Sequence, residues 1–358
     1  MAFQLPARIG KYQLEEFLGG GMSHVYRATD TILGRTVALK ILTEAGCADA
    51  EAKARFLAEA RMAGNIVHEN IINIYDFGEE QGRPFIVMEF LLGESLKEAI
   101  KNNRPPELRA RLVIAQQIAR ALEYIHSKKI IHRDIKPENV QVDTTGKVKL
   151  MDFGIAKSEG LQLTRAGFTL GTPYYMAPEQ VLGQQVTYLV DVYAFGVLLF
   201  EFLSGVKPIT GDTVERIFNQ ILYEPLDLEP LRRAGAPQRI FDLVARCTVK
   251  DPAQRIQGFG LVAQEIEATL AGKIEPMPSA AALSPRTPMP AGPMAPPRPA
   301  APPPLPRPPQ PPGDLPAFLN GLPPQFRTQQ WLMVFAAAAV LVGLGLLYVI
   351  VTLVAQRM

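Results

Sequence analysis

His132-Arg133-Asp134-Ile135-Lys136-Pro137-Glu138-Asn139 reads as a short loop crowded with ionisable and amide side chains. Thirteen residues after its asparagine comes Asp152-Phe153-Gly154, and later Ala177-Pro178-Glu179. The segments flanking this loop indicate the architecture. On its N-terminal side Tyr12 to Phe17, Val25 to Ala28, Thr36 to Ile41, Ile71 to Tyr75 and Pro84 to Glu89 are predicted as short strands, with one helix-like run from Ala48 to Gly64 among them. Around and after the loop the pattern is helical. Ala110 to Ser127 carries apolar residues at helical spacing, and Asp191 to Ser204 is an apolar helix. Strands first and helices later imply a two-lobed α+β unit with the charged loop where the lobes join.

Agreement at so many fixed positions is beyond chance, and over roughly residues 12–270 the sequence resembles the protein kinase family, more closely the eukaryotic-like serine/threonine kinases of bacteria. The resemblance implies a two-lobed protein kinase fold. A small β-rich N-lobe is expected over about 12–91 and a larger helical C-lobe over about 92–271, after an N-terminal extension at 1–11. It also implies ATP, Mg²⁺ with Mn²⁺ as an alternative, and protein substrates. The expected activity is transfer of the γ-phosphate of ATP to serine and threonine hydroxyls; the alternative is a pseudokinase acting as a membrane-anchored binding scaffold.

Phosphoryl transfer needs little covalent help, so the residues must hold two oxygens in line and neutralise charge spreading over the γ-phosphate. By the resemblance, Asp134 orients the acceptor hydroxyl and takes its proton, while Lys136 sits against the γ-phosphate. Asn139 and Asp152 supply the oxygen ligands that Mg²⁺ prefers. Lys40, in Val37-Ala38-Leu39-Lys40, holds the α- and β-phosphates; its helix partner is Glu59 by spacing, with Glu51 a distant second. Leu18-Gly19-Gly20-Gly21-Met22-Ser23 folds over the phosphates through backbone N–H groups. This stretch departs from the family pattern, being one residue short when counted forward from Gly19, with Ser23 in the third glycine place. Val25 and Ala38 sandwich the adenine, and Gln141 stands where the family places an apolar floor. Met88 precedes a hinge, Glu89 to Leu91, whose backbone meets the adenine; plain packing explains Met88 equally well.

Arg133 beside the catalytic aspartate implies switching by phosphorylation between Asp152 and Glu179, with Thr164 and Thr169 as candidate acceptors. Thr172 is expected to bond Asp134 and Lys136 instead. Glu179 and Arg255 are expected to form an ion pair under that segment, and Asp191 to hold the backbone of the catalytic loop.

Composition separates the rest of the chain from this unit. The 358 residues carry 37 basic and 35 acidic side chains, which argues against a dense basic face for nucleic acid. Cys47 and Cys247 match no metal-ligand spacing and predict no disulfide scaffold. The N-terminus lacks the basic start and apolar run of a signal peptide. Of 32 prolines, 20 fall in 272–328, which predicts a disordered, polyproline-like linker. It serves either as a spacer or as a docking segment for a partner's groove. Residues 331–355 hold no charge and predict a transmembrane helix, with 356–358 as a short tail. A C-terminally anchored membrane protein with a cytoplasmic catalytic domain is the expectation. Ala339 and Gly343 have small-xxx-small spacing, a weak hint of a homodimer.

Overall fold

The computed structural model describes residues 5–152 and 173–272. The chain divides between Arg286 and Thr287 into two units, and all the described residues lie in the first. The expected linker at 273–328 and the expected membrane helix at 331–355 lie outside them, as do Thr164, Thr169 and Thr172. Among the described residues no helix is long and apolar enough to cross a membrane.

The N-lobe is built on a six-stranded antiparallel sheet in the order β1-β2-β3-β4-β6-β5. Its strands are β1 (Ala7–Ile9), β2 (Tyr12–Gly20), β3 (Ser23–Asp30), β4 (Arg35–Leu42), β5 (Ile74–Glu80) and β6 (Arg83–Glu89). Successive side chains of a strand point to opposite faces, and β4 uses both. Val37, Leu39 and Ile41 enter one core with Tyr26, Ala28, Phe85 and Val87. Ala38, Lys40 and Leu42 take the other face, where Leu42 packs with Ile86 and with Phe56 and Ala60 of a helix. That alternation puts a lysine on the cleft side of an otherwise buried strand.

The helix-like run 48–64 is α2 (Ala50–Ala63), started by Asp49, whose carboxylate accepts from the N–H groups of Glu51 and Ala52; a separate short helix that the sequence did not announce, α1 (Glu44–Ala48), precedes it. Within the expected extension 1–11, β1 pairs with β2 and buries Ile9. Ile71–Tyr75 is not one strand. Asn70 donates to Gln117 Oε1 (2.9 Å) and to the Val148 carbonyl (3.2 Å), and Ile71 bridges to Leu150. This stretch therefore belongs to the C-lobe core, and β5 begins only at Ile74.

The C-lobe surrounds α6 (Leu189–Ser204), whose residues 189–203 are all buried. Against it and each other pack α3 (Leu96–Lys101), α4 (Leu108–Ser127), α5 (Pro178–Val181), α7 (Val214–Tyr223), α8 (Glu229–Arg233), α9 (Gln238–Cys247) and α10 (Phe259–Ala271). Gly196 explains the one fully buried cysteine: a Cβ there would lie 2.6 Å from Cys247 Cβ, so the glycine lets α6 and α9 approach closely. The strands β7 (Glu94–Ser95), β8 (Val140–Val142) and β9 (Val148–Leu150) form a small sheet that carries the charged loop to the cleft.

Candidate active site

The loop is shaped by one buried carboxylate. Asp191, fully buried at the start of α6, accepts from the backbone N–H of His132 (2.8 Å) and of Arg133 (2.7 Å) and contacts His126 Nε2 (2.8 Å). These bonds hold Arg133 at φ +64°, a left-handed conformation that costs a non-glycine residue on the order of 1 kcal/mol or more. Burial pushes the His132 imidazole down, which keeps it neutral. Its Nε2–H then donates to the Met151 carbonyl (3.0 Å), immediately before Asp152. The Met151 N–H in turn donates to the Asn139 carbonyl (2.9 Å). Asp152 itself sits at φ +48°, so two strained backbone positions occur within the site.

On this frame the expected residues gather in two sets. In the first, Lys136 Nζ donates to Asp134 Oδ2 (2.7 Å), and Asn139 Nδ2 donates to the same oxygen (3.0 Å) and to the Asp134 carbonyl (2.8 Å). In the second, Lys40 Nζ lies 2.8 Å from Glu59 Oε1 and 2.7 Å from Asp152 Oδ1. Glu59, and not Glu51, is the partner; Glu51 pairs with Arg55 one turn along α2. Burial pulls the Lys40 ammonium down, but the carboxylates of Asp152 and Glu59 outweigh it and hold it above the usual lysine value. Burial raises Asp152, and the opposing Lys40 charge carries it below the carboxylate range. Glu59 is raised by its burial. The resulting charged lysine and ionised aspartate suit a polyphosphate and a divalent cation.

The donor chemistry fits Mg²⁺. Asn139 spends its amide nitrogen on Asp134, leaving its amide oxygen for a ligand role, and Asp152 contributes a carboxylate. Among the described residues no group of three or more His, Cys, Asp and Glu forms a protein-only cage. Two oxygen donors completed by phosphates and water is the arrangement Mg²⁺ favours.

Val25, Ala38, Lys40 and Met88 occupy one face of the sheet, since Val25 pairs with Lys40 and Ala38 with Met88. The glycine-rich stretch is the β2–β3 hairpin. A register shift between Phe17 and Gly19 sets Leu18 aside, after which Gly19 faces Val25 and Gly20 faces His24. Gly20 has φ +140°, and a Cβ on it would meet the Ser23 carbonyl oxygen at 2.0 Å, so only glycine fits. The tip, Gly21-Met22-Ser23, is tied down in a way the sequence did not announce. Thr43 donates both its N–H (3.0 Å) and its hydroxyl (2.9 Å) to the Met22 carbonyl while its side chain caps α1.

The hinge also holds unforeseen partners. Glu89 accepts from Asn73 Nδ2 (2.9 Å) and Lys149 Nζ (2.7 Å), and its N–H donates to the Asn73 carbonyl (2.9 Å). Leu91 is half-buried beyond it. Lys149 was detectable as the one charged residue between Val148 and Leu150. Gln141 pairs with Lys149 across β8 and β9, and both its neighbours, Val140 and Val142, enter the C-lobe core. Gln141 therefore takes the cleft face.

The expected scaffold pair is present. Arg255 Nη1 and Nη2 reach the two oxygens of Glu179 at 2.7 and 3.1 Å, both residues being buried.

Comparison with known proteins agrees with this geometry. The chain is 37% identical over 277 residues to the serine/threonine-protein kinase PknA of Mycobacterium tuberculosis, an alignment covering 75% of this chain and 64% of PknA. It is 38% identical over 263 residues to the serine/threonine-protein kinase PrkC of Bacillus subtilis, covering 73% of this chain and 40% of PrkC. It thus spans less than two thirds of either relative. The crystal structure of the M. tuberculosis PknI kinase domain superposes with a TM-score of 0.59 at 26% identity, covering 75% of this chain and 99% of that one. The model of the protein kinase domain matches residues 12–267, and with Lys40, Glu59, Asp134, Asn139 and Asp152 assembled as described, the chain belongs to the protein kinase family.

Proposed function

We propose that the chain is an ATP-dependent serine/threonine protein kinase, tethered to a membrane through residues 331–355 and activated by phosphorylation within its own segment 153–172. The observation that carries the catalytic reading is the shared Asp134 oxygen, approached by both Lys136 and Asn139. Asp134 accepts the proton of the incoming hydroxyl and aims its oxygen, while Lys136 remains beside it to meet the γ-phosphate charge. Lys40, fixed from two sides, orients the α- and β-phosphates. Asn139 and Asp152 would hold Mg²⁺, which would supply neutralisation of the charge on the transferring group. The hairpin backbone from Leu18 to Ser23 covers the nucleotide and excludes water. A lysine two residues after the aspartate favours serine and threonine hydroxyls as acceptors. A scaffold without catalysis is not favoured, since none of these catalytic residue types is missing.

Activation by phosphate has a supporting observation. Arg133 Nε is buried without a hydrogen-bond partner among the described residues, in a small pocket it shares with Tyr175 and Gln180. A guanidinium left in that state is completed by an anion. Thr164 and Thr169 are the acceptors proposed to supply it, in trans between copies confined to one membrane. The membrane tether rests on the chargeless run 331–355 alone.

Radiolabel transfer from ATP to a generic protein acceptor tests the activity, with Asp134→Asn as reference. Loss of about 10²-fold or more in the variant is expected. Equal background from both chains would remove the enzyme reading, and a peptide map with no phosphate on 158–172 would remove the activation mechanism alone.

A further inference from the structure

A groove of about 860 Å³ lies on the C-lobe between the loop preceding α4, the first half of α4 and the β8–β9 turn, and none of its lining residues belongs to the catalytic set. That volume is within the range of ligand-binding sites. Its wall is apolar, with Pro105, Pro106, Ala110 and Val113, and Val113 is 41% exposed. The charges on its rim are unequally occupied. Glu94 is paired with Arg104 (2.6 Å), and Asp143 accepts from Thr145 and Lys147. Glu107 stands at the N-terminus of α4 without a capping bond from its side chain, leaving one carboxylate available at the rim.

The position of the chain's exit selects the occupant. Arg109, another lining residue, donates from Nη1 to the carbonyl of Leu270 (2.8 Å), one residue before α10 ends. The C-terminal end of α10 therefore lies against the groove's rim. The residues that follow begin with a lysine and space their apolar side chains along a proline-containing stretch: Lys273, Ile274, Pro276, Met277, Pro278 and Leu283. Basic residues close both ends, Lys273 and Arg286. We propose that Lys273–Arg286 folds back into this groove, with Lys273 against Glu107 and its apolar side chains on Val113 and the two prolines. The first part of the apparent spacer is then a docked strap, and the free tether begins only after it. The contact goes beyond phosphoryl transfer and does not depend on it. Fourteen residues in an extended form reach about 43 Å, ample to cross the site. A segment joined this closely acts at an effective concentration of about a millimolar, so an intrinsic affinity on the order of 0.1 mM suffices for about tenfold protection of the groove.

Hydrogen exchange by mass spectrometry on the full chain in detergent micelles tests this. Three chains are compared: the native one, one with 273–286 replaced by a Gly-Ser repeat of equal length, and Val113→Glu. Amides of 104–113 and 142–147 are expected to exchange about tenfold more slowly in the native chain than in either variant, independently of protein concentration. Equal rates in the native and Gly-Ser chains overturn the proposal, whether the groove is empty or held by something else. Protection that fades on tenfold dilution overturns it in favour of a second copy. Exchange in the buried amides of α6 serves as the fold control; if Val113→Glu disturbs it, the Gly-Ser chain decides alone.

Discussion

Removing Arg255 should unfold the C-lobe far more readily than removing the pair it belongs to. Arg255 is 2% exposed and Glu179 5%. Besides both Glu179 oxygens, the guanidinium donates to the carbonyls of Leu189 (2.7 Å), Val249 (3.1 Å) and Lys250 (3.3 Å). Arg255→Met therefore leaves a buried carboxylate without its counter-charge and three carbonyls short of a donor. The stranded carboxylate alone costs about 3–5 kcal/mol, and the carbonyls bring the total to about 5 kcal/mol. With a urea m-value of about 3 kcal/mol/M for a large domain, the midpoint falls by about 1.7 M. Glu179→Leu in the same chain removes the orphan charge, so the double variant should recover at least about 2 kcal/mol. Urea unfolding followed by far-UV circular dichroism on wild type, both single variants and the double variant gives the full cycle. A loss below about 1 kcal/mol for Arg255→Met, or strict additivity in the double variant, refutes the assignment of the pair as a buried, mutually dependent unit.

Other parts of the molecule give independent tests. Burial, and then the neighbouring Arg255 charge, push the Lys250 ammonium down to about 8 from 10.5. A folded value below the unfolded one means the unfolded chain holds more protons between these limits, so stability rises with pH across that window. Relative to Lys250→Met, the wild type should gain up to a few kcal/mol between about pH 8 and 10.5, and parallel curves of melting temperature against pH would exclude this. Gln141→Leu restores an apolar floor beneath the adenine and should lower the KM for ATP several-fold with kcat unchanged, worth about 1 kcal/mol of binding. An unaltered KM in steady-state kinetics would mean the amide never faces the base. Thr43→Val removes the hydroxyl bond to Met22 and the α1 cap, at about 1 kcal/mol of stability. It should raise the KM for ATP more than it lowers kcat, and the reverse pattern would separate the hairpin tip from nucleotide binding.

What the sequence made legible was chemistry at fixed spacing. Asp134, Lys136 and Asn139 are separated by short backbone paths, so their meeting follows from the loop itself. Lys40 and Glu59 were legible for a related reason, since a strand position and a helix position must oppose each other wherever that helix packs on that sheet. Less visible were choices made by single polar side chains. Asp49 separates α1, which no pattern announced, from α2, because its side chain caps the second helix instead of continuing the first. Asn70 draws the chain after α2 away from the sheet through two long-range bonds that no local pattern encodes. The tie between Thr43 and Met22 and the seat of Glu89 on Lys149 likewise join residues distant in sequence, and pairings of that kind appear only once the topology is known.

The Asn70 attachment gives the helix α2 a fixed fulcrum. Its C-terminal end is joined to the lower lobe through only a few residues, while Glu59 sits four residues before that end, about 6 Å along the axis. A swing of about 15° around the end of α2 would displace Glu59 by about 1.5 Å, enough to stretch a 2.8 Å bond to Lys40 past hydrogen-bonding range. The bond that fixes Lys40 thus hangs on a short arm of helix, and its length depends on how firmly the chain after α2 is seated in the lower lobe by Asn70.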